Sequence, residues 1–109
     1  MTPPFPADIY RKDDRLIILV PLAGLHIADL SLTITDDILT IQGERKPEEK
    51  VQTRDYFSQE CFWGKFKRSV VIPVPVHANQ VIALYKKGVL RVEVPIAEEG
   101  VSRVAPIQS

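Results

Sequence analysis

The sequence is poor in cysteine, has no long apolar run and carries no net charge, and each of these shortages excludes a class of protein. Cys61 is the one cysteine, so a disulfide-stapled secreted domain is excluded. The longest apolar run, residues 16–22, contains a proline and falls far short of the roughly 20 residues that span a bilayer. Fourteen basic residues balance fourteen acidic ones, so no net charge attracts nucleic acid or an anionic membrane. We therefore expect a cytoplasmic protein with neither of these as a partner.

Side chains that carry catalysis, metal ions or phosphates are also scarce. The five glycines are widely scattered and form no phosphate-binding loop, and no G-x-S-x-G nucleophile motif occurs. His26, His77 and Cys61 lie far apart, without the spacing of a metal site. Cys61 could act as a nucleophile, but a lone cysteine in a strand is more often a small buried hydrophobe, which we expect here. The sequence therefore predicts no enzyme, no catalytic residue, no metal or cofactor and no small-molecule substrate.

What the chain does contain is a period-two alternation of apolar and polar residues, which indicates β-strands. Its 109 residues are 45% apolar and 26% charged, which fits one globular domain. Strands are predicted at residues 7–12, 16–20, 30–35, 38–42, 66–72, 81–85 and 89–95, with two-residue turns at 13–14, 36–37 and 87–88. Turns at this spacing predict an all-β, immunoglobulin-like sandwich of seven to eight antiparallel strands over residues 7–96.

One long polar segment, residues 44–60, interrupts the alternation. It reads ERKPEEKVQT at positions 44–53 and leads into Tyr56 and Phe57, two aromatic residues in polar surroundings. Loops of this length in compact domains are usually functional or mobile. Either the segment is an arm that leaves the sandwich and buries its aromatic tip elsewhere, or it folds back on its own core. The patterning favours neither alternative.

Arg68 is the charged residue that conflicts with the predicted pattern. Alternation places it with Phe66, Val70 and Ile72 on the buried face of a strand. A buried guanidinium needs a carboxylate or several carbonyls, because its desolvation otherwise costs several kcal/mol. We predict an acidic partner, including one across a subunit interface, and the alternative is that Arg68 reaches solvent at the sheet edge. The neighbouring lysines point to the opposite face, so this basic run forms no shared platform for stacking nucleic acid.

Four motifs, in order along the chain, resemble the α-crystallin domain of the small heat-shock proteins. Residues 83–90, ALYKKGVL, look like its A-x-x-x-x-G-V-L signature, and residues 39–46, LTIQGERK, closely resemble its L-T-I-x-G-E-R-K segment. Residues 64–73, GKFKRSVVIP, resemble its G-x-F-x-R-x-x-x-L-P strand, and residues 8–14, DIYRKDD, resemble its first strand and turn. These matches span most of the chain, and the long loop is similar to that of bacterial-type members.

The resemblance implies a function and a mode of assembly. Members of this family are ATP-independent holdases, which bind unfolding proteins and keep them from aggregating, and they have no catalytic residues. In bacterial-type members the long loop carries a strand that pairs with the partner's first strand in a swapped homodimer. Here Tyr56 and Phe57 would dock against Ile9 and Tyr10 of the other subunit, with Arg68 also in the dimer interface. The resemblance therefore favours the alternative in which the long segment is an arm that leaves the sandwich over the one in which it folds back on its own core.

The resemblance also implies a groove and a tail that fills it. The family's C-terminal I-x-I/V motif docks between two strands of a neighbouring dimer by strand addition. The groove residues here would be Leu30, Leu32, Val81 and Ala83. The C-terminal extension, residues 97–109, contains a motif with the right spacing, formed by Ala105, Pro106 and Ile107. Because alanine in place of isoleucine gives up on the order of 1–2 kcal/mol of apolar burial, we expect this tail to dock weakly.

Assembly size and function each have an alternative. Residues 1–6 form a short N-terminal arm, whereas family members usually carry a long apolar one, so we expect dimers or small oligomers rather than large cages. The main alternative function is that of a CS-domain-like co-chaperone, a similar sandwich that serves as a protein-interaction module without stand-alone holdase activity. CS domains are typically monomeric, so a swapped dimer would distinguish the two.

Overall fold

The computed structural model describes residues 5–97, and the chain folds there into two antiparallel β-sheets. The strands are β1 (Asp8–Lys12), β2 (Arg15–Pro21), β3 (Leu30–Thr35), β4 (Ile38–Arg45), β5 (Gly64–Val71), β6 (Ile82–Lys86) and β7 (Val89–Pro95). Short 3-10 turns lie at Ile27–Asp29, Thr53–Asp55 and Ala78–Gln80, and no helix in this part of the chain is long and apolar enough to cross a membrane. One sheet has the order β1-β2-β7-β6 and the other β3-β4-β5, which confirms the predicted all-β sandwich.

Three two-residue turns join strands that are neighbours both in the chain and in a sheet: β1 to β2, β3 to β4, and β6 to β7. Asp13, Asp36 and Lys87 open these turns with φ angles of 56°, 57° and 54°. A positive φ at this position matches the primed turns, whose twist suits paired strands, and Gly88 completes the third turn with a φ of 77°. The turns predicted from the Asp-Asp and Lys-Gly pairs are therefore confirmed.

The core lies between the facing sides of the two sheets. Alternate residues of the central strands point inward and are at most 4% exposed. They are Leu16, Ile18 and Val20 of β2, Leu39 and Ile41 of β4, and Leu90, Val92 and Val94 of β7. Tyr85 ties β6 to this core, because its hydroxyl donates a 2.5 Å hydrogen bond to the carbonyl oxygen of Leu22. The apolar faces predicted from the alternation thus form one continuous core.

Strand β2 is buried on both faces, as its uninterrupted apolar run predicts. On the face away from the core, Ile17 is fully buried between Tyr10 of β1 and Glu93 of β7, its partners in register. Arg91 of β7 donates a 3.4 Å hydrogen bond to the Tyr10 hydroxyl, and this contact spans β2. Polar side chains of the two flanking strands therefore shield the apolar outer face of β2 from water.

The long loop begins two residues later and ends three residues later than predicted, at residues 46–63 rather than 44–60. Residues 43–45 continue β4 because they pair in register with residues 64–66 of β5. These positions carry a glycine and two charged residues, so they break the apolar alternation while the backbone ladder continues. Strand β6 begins one residue later than predicted, at Ile82.

Candidate functional site

The edge strands of the sandwich are where this chain offers backbone groups to another chain. β1 and β6 are the edges of the four-stranded sheet, and β3 and β5 are those of the three-stranded sheet. An edge strand presents a row of N–H and C=O groups without a neighbour in its own sheet, which makes it a template for strand addition. Apart from the aromatic pair in the loop, the predicted site residues within 5–97 lie on these four edges or directly beside them.

The position of Phe5 shows which edges share a side of the sandwich. Phe5 precedes β1, and its ring contacts Phe66 of β5, with the ring centroids 4.8 Å apart. The β1 and β5 edges therefore lie on one side. In an aligned sandwich the β3 and β6 edges then lie together on the other side, which brings together the two strands predicted to form the groove.

The predicted groove residues occupy both edges of this second side. Leu30 and Leu32 are half-buried on β3, Val81 is half-buried directly before β6, and Ala83 is exposed on β6. The first three pack against the core from its open edge. An extended segment laid along this side would therefore meet apolar side chains and a strand edge together. Outside the described residues lies the predicted tail motif, Ala105, Pro106 and Ile107, so its docking stays a prediction.

The sequence analysis missed an apolar surface on the opposite face of β6. Ile82 and Leu84 alternate with Ala83, point away from the core, and are 55% and 53% exposed. The sequence carried a signal for this surface. Residues 81–85 are apolar at every position, whereas an edge strand needs apolar residues only on the face that covers its own core. Complete burial of either side chain against another chain would contribute roughly 1.5–3 kcal/mol.

β1 and the long loop carry the residues predicted for dimerisation. All five β1 residues are exposed, and Ile9 and Tyr10 are 37% and 39% exposed. In the loop Tyr56 is half-buried, whereas Phe57 is fully exposed. The alternative in which the loop tip folds back on its own core is therefore wrong for Phe57. Contact between this tip and the β1 strand of a second copy stays a prediction.

Arg68 is held by backbone carbonyls. It is half-buried on β5, its Nε donates a 2.9 Å hydrogen bond to the carbonyl oxygen of Phe5, and a terminal nitrogen donates to that of Ser69. Within residues 5–97 it forms no ion pair, so the predicted acidic partner is not found in this part of its own chain. Carbonyls satisfy the guanidinium instead. A carboxylate from a second subunit stays a prediction.

Replacing Arg68 with methionine is expected to lower the free energy of unfolding by about 1.5–3 kcal/mol, because a hydrogen bond from a charged donor is lost. Urea unfolding of the variant and the wild type measures this difference. Lys67→Met is the control, since Lys67 is the exposed neighbour on the same strand, and its midpoint should equal that of the wild type. Equal midpoints for Arg68→Met and the wild type would show that the carbonyl contacts do not stabilise the fold.

Cys61 differs from the prediction of a small buried strand residue. It is an exposed free thiol in the loop, because β5 begins only at Gly64. Phe62 supplies the apolar side chain that packs against the core at this point. Across the described part of the chain, no group of three or more His, Cys, Asp or Glu side chains is placed to hold a metal ion.

One known protein family matches nearly the whole chain. The profile of the Hsp20/alpha crystallin family matches residues 8–108. The chain belongs to this family. It is 28% identical to small heat shock protein C2 of Rickettsia felis over 96 residues, which cover 88% of this chain and 62% of that protein. It is 32% identical to the 17.8 kDa class II heat shock protein of Zea mays over 90 residues, covering 82% and 55%. The chain thus spans about three fifths of the length of these curated relatives.

Solved structures of small heat-shock proteins share the fold. A small heat-shock protein from Xylella fastidiosa, described as having a distinct high order structure, matches with a TM-score of 0.78 and 26% identity over all of both chains. The hspA protein of Xanthomonas axonopodis matches with a TM-score of 0.74 and 26% identity, covering 84% of this chain and 92% of that one. The predicted α-crystallin sandwich of a small heat-shock protein is therefore confirmed.

Proposed function

We propose that this small heat-shock protein is an ATP-independent holdase, which binds unfolding proteins and prevents their aggregation. The observation that carries the proposal is the apolar character of β6, an edge strand with Ile82 and Leu84 exposed on its outer face. Unfolded proteins expose extended apolar segments, and an edge with available backbone groups and apolar side chains complements them. Membership of the Hsp20/alpha crystallin family supports the same function.

Binding at this edge would need no nucleotide. A client segment laid along β6 would form backbone hydrogen bonds and bury alternate side chains against Ile82 and Leu84. Complete burial of these two side chains supplies roughly 3–6 kcal/mol, from which the cost of ordering the client is subtracted. Because this cost is similar in size to the gain, we expect weak binding that a client can leave when its own strands pair again.

We further propose that the functional unit is a strand-swapped homodimer, which can assemble into higher oligomers. Tyr56 and Phe57 of one copy would dock beside Ile9 and Tyr10 of the other. The exposure of Phe57 and of all β1 residues supports this arrangement, because both would lose apolar surface to water on docking. Arg68 lies on the β5 edge, on the same side of the sandwich as β1, which suits a place in that interface.

The tail motif at residues 105–107 is proposed to dock only weakly in the β3–β6 groove of a neighbouring dimer. Alanine at its first position would leave part of the apolar surface of the groove uncovered. Weak docking would keep the groove available to clients at subunit concentrations where a stronger motif would fill it.

A reducing compartment suits this chain. Cys61 is the only cysteine and is exposed, so it has no partner for an internal disulfide, and cytosolic thiols are kept reduced. We therefore propose that the protein acts in the cytoplasm, with unfolded polypeptides as partners rather than nucleic acid, membranes or small-molecule substrates.

The proposed function is tested by heating a thermolabile client with this protein in the absence of ATP and following light scattering. We expect suppression near one subunit per client molecule. The variant Ile82→Ser/Leu84→Ser should need at least about 100-fold more protein, because losing roughly 3–6 kcal/mol of apolar burial raises the dissociation constant for the client by that factor or more. Thr33→Ala/Thr35→Ala changes exposed residues of the other groove strand and should act as the wild type does.

Two outcomes would contradict the proposal. If folded wild-type protein does not suppress scattering, the stand-alone holdase function is wrong and the CS-domain-like co-chaperone function is favoured. If the β6 variant suppresses scattering as well as the wild type, the outer face of β6 is not where clients bind.

A further inference from the structure

Phe5 is a buried aromatic residue outside the sheets. It precedes β1, is only 7% exposed, and packs edge-on against Phe66 with the ring centroids 4.8 Å apart. The guanidinium carbon of Arg45 lies 5.0 Å from the centre of the Phe5 ring. Arg68 Nε donates its 2.9 Å hydrogen bond to the carbonyl oxygen of this same residue. Arg45, Phe66 and Arg68 thus form a socket, called here the Phe5 socket.

The geometry points to a binding site for aromatic side chains, which Phe5 occupies in its own chain and which opens to an aromatic residue of an unfolded polypeptide when Phe5 leaves. The site lies on the β1–β5 side of the sandwich and is therefore separate from the β3–β6 groove. The inference rests on the proposed holdase function only for the nature of the natural ligand. The existence of the site is independent of it.

The chemistry of the socket selects an aromatic ring. Phe66 offers an aromatic partner at the edge-to-face geometry that two rings prefer, and Arg45 offers a cation over the ring face. Phe66 is itself held in place, because its ring lies against Gly43, where a Cβ atom would come within 2.9 Å of it. An aliphatic side chain would fill the volume but would gain neither of the two aromatic contacts.

The socket also contains hydrogen-bond donors that backbone carbonyls of a ligand can satisfy. Arg68 already binds one, the carbonyl of Phe5. Arg45 Nε is buried and has no hydrogen-bond partner among the described residues. A buried donor without an acceptor is unfavourable, so a ligand that supplies a second carbonyl would satisfy it. An aromatic residue within an extended polypeptide has carbonyls on both sides of the ring and fits this requirement.

The segment that carries Phe5 has features that favour its release from the socket. Pro6, which follows Phe5, has no N–H to donate and is exposed. The backbone hydrogen bonds outside the regular strands involve none of residues 5–7. Among the described contacts, the Phe5 ring, the Phe5 carbonyl and the Ala7 side chain, which packs against the core, hold the segment. A segment with so few contacts belongs to the part of a fold that opens at low free energy.

Occupation by Phe5 lowers the apparent affinity for any competing ligand. A site that is open about a tenth of the time binds with a dissociation constant raised about tenfold. Removing the Phe5 side chain should therefore increase the apparent affinity for an aromatic peptide by about that factor. If the socket merely completes the core, removing the Phe5 side chain would lower the stability of the fold and would not increase the affinity for an aromatic peptide.

The test is a titration of the full chain with the hexapeptide PPFPAD, which copies residues 3–8, and with PPAPAD, both blocked at each end. The readout is the NMR signal of the Nε–H groups of Arg45 and Arg68, which lie in the socket. In Phe5→Ala we expect PPFPAD to shift both signals with an apparent dissociation constant about tenfold lower than in the wild type. PPAPAD should shift neither. Val71→Ala, which removes an exposed apolar side chain of β5 instead, should behave as the wild type.

Three results would overturn the inference. One is a folded Phe5→Ala variant that does not distinguish the two peptides. Another is equal affinity for PPFPAD in the variant and the wild type. The third is occupation of the wild-type socket that rises with protein concentration, which would mean that a second copy supplies Phe5. If Phe5→Ala does not fold, Phe5→Leu retains the apolar volume and should show a smaller gain, whereas no gain contradicts the inference.

The peptide titration needs neither a heated client nor suppression of aggregation. If the scattering assay fails and the titration succeeds, the holdase proposal is wrong and the aromatic site remains. If the titration fails and the scattering assay succeeds, the aromatic site is wrong and the holdase proposal remains.

Discussion

Replacing Gly43 with alanine is expected to lower the free energy of unfolding by about 3 kcal/mol, at the upper end of the usual cost of overpacking a core. A Cβ atom on Gly43 would lie 2.8 Å from the carbonyl oxygen of Asp29 and 2.9 Å from Cζ of Phe66. The first contact is with backbone that leads directly into β3, and the second is with a core ring that already packs on Phe5. Neither neighbour can move without disturbing the packing on both sides of the sandwich.

Urea unfolding measures the effect of Gly43→Ala, and Gln42→Ala is the matched control. Gln42 precedes Gly43 on β4 but points outward and is exposed, so its replacement should change the unfolding free energy by less than about 0.5 kcal/mol. If Gly43→Ala and Gln42→Ala unfold at the same urea concentration, the close packing of Phe66 over Gly43 does not contribute to stability. The Phe5 socket would then lose its rigid wall as well.

Replacing both Tyr56 and Phe57 with serine is expected to convert the proposed dimer into a folded monomer. A two-fold dimer uses each side chain twice, and complete burial of an aromatic side chain contributes roughly 1.5–3 kcal/mol. The dimer dissociation constant should therefore rise about 1000-fold or more. The stability of the sandwich itself should change little, because Phe57 is fully exposed in the single chain and the half-buried Tyr56 is not among the side chains that pack against the core.

Sedimentation equilibrium over a range of protein concentrations measures this change. Gln52→Ser/Gln59→Ser replaces two exposed polar residues of the same loop and should keep the wild-type dissociation constant. A wild type that is monomeric at every concentration would contradict the swapped dimer. An unchanged dissociation constant for the aromatic variant would show that the dimer forms through another surface.

The strands could be predicted because local sequence signals, alternation and turn residues, mark most of their length. In the segment LSLTIT the side chains alternate strictly, and the pair at Asp36 and Asp37 gives a two-residue turn directly after it. Such signals need no knowledge of the partner strand. The end of β4 lacks them, since Gly43 and the charged residues after it belong to the strand only through pairing with β5.

The Phe5 socket could not be predicted, because its contacts join residues that are distant in the sequence. Phe5 and Arg68 are 63 positions apart, and alternation shows only that Arg68 faces inward, not which atoms meet it there. An acidic partner was therefore the expectation, whereas a backbone carbonyl has no sequence signal at all. Contacts of this kind become visible only when the order of strands in both sheets is known.

The candidate client surface was predicted in part. The groove residues Leu30 and Leu32 follow from the resemblance to the family, and β3 does carry them at an edge of its sheet. Ile82 and Leu84 were missed because a strand that is apolar on both faces is usually a central one, as β2 is. The topology instead places β6 at an edge, which turns the same pattern into exposed apolar surface.

Size-exclusion chromatography of a heated mixture shows whether this chain holds unfolding proteins without nucleotide. A thermolabile client and this protein are heated together without ATP, cooled and separated. We expect the client to stay in solution and to elute with this protein as a complex larger than either component. If the folded protein elutes alone and all the client is found in the pellet, the holdase account is contradicted.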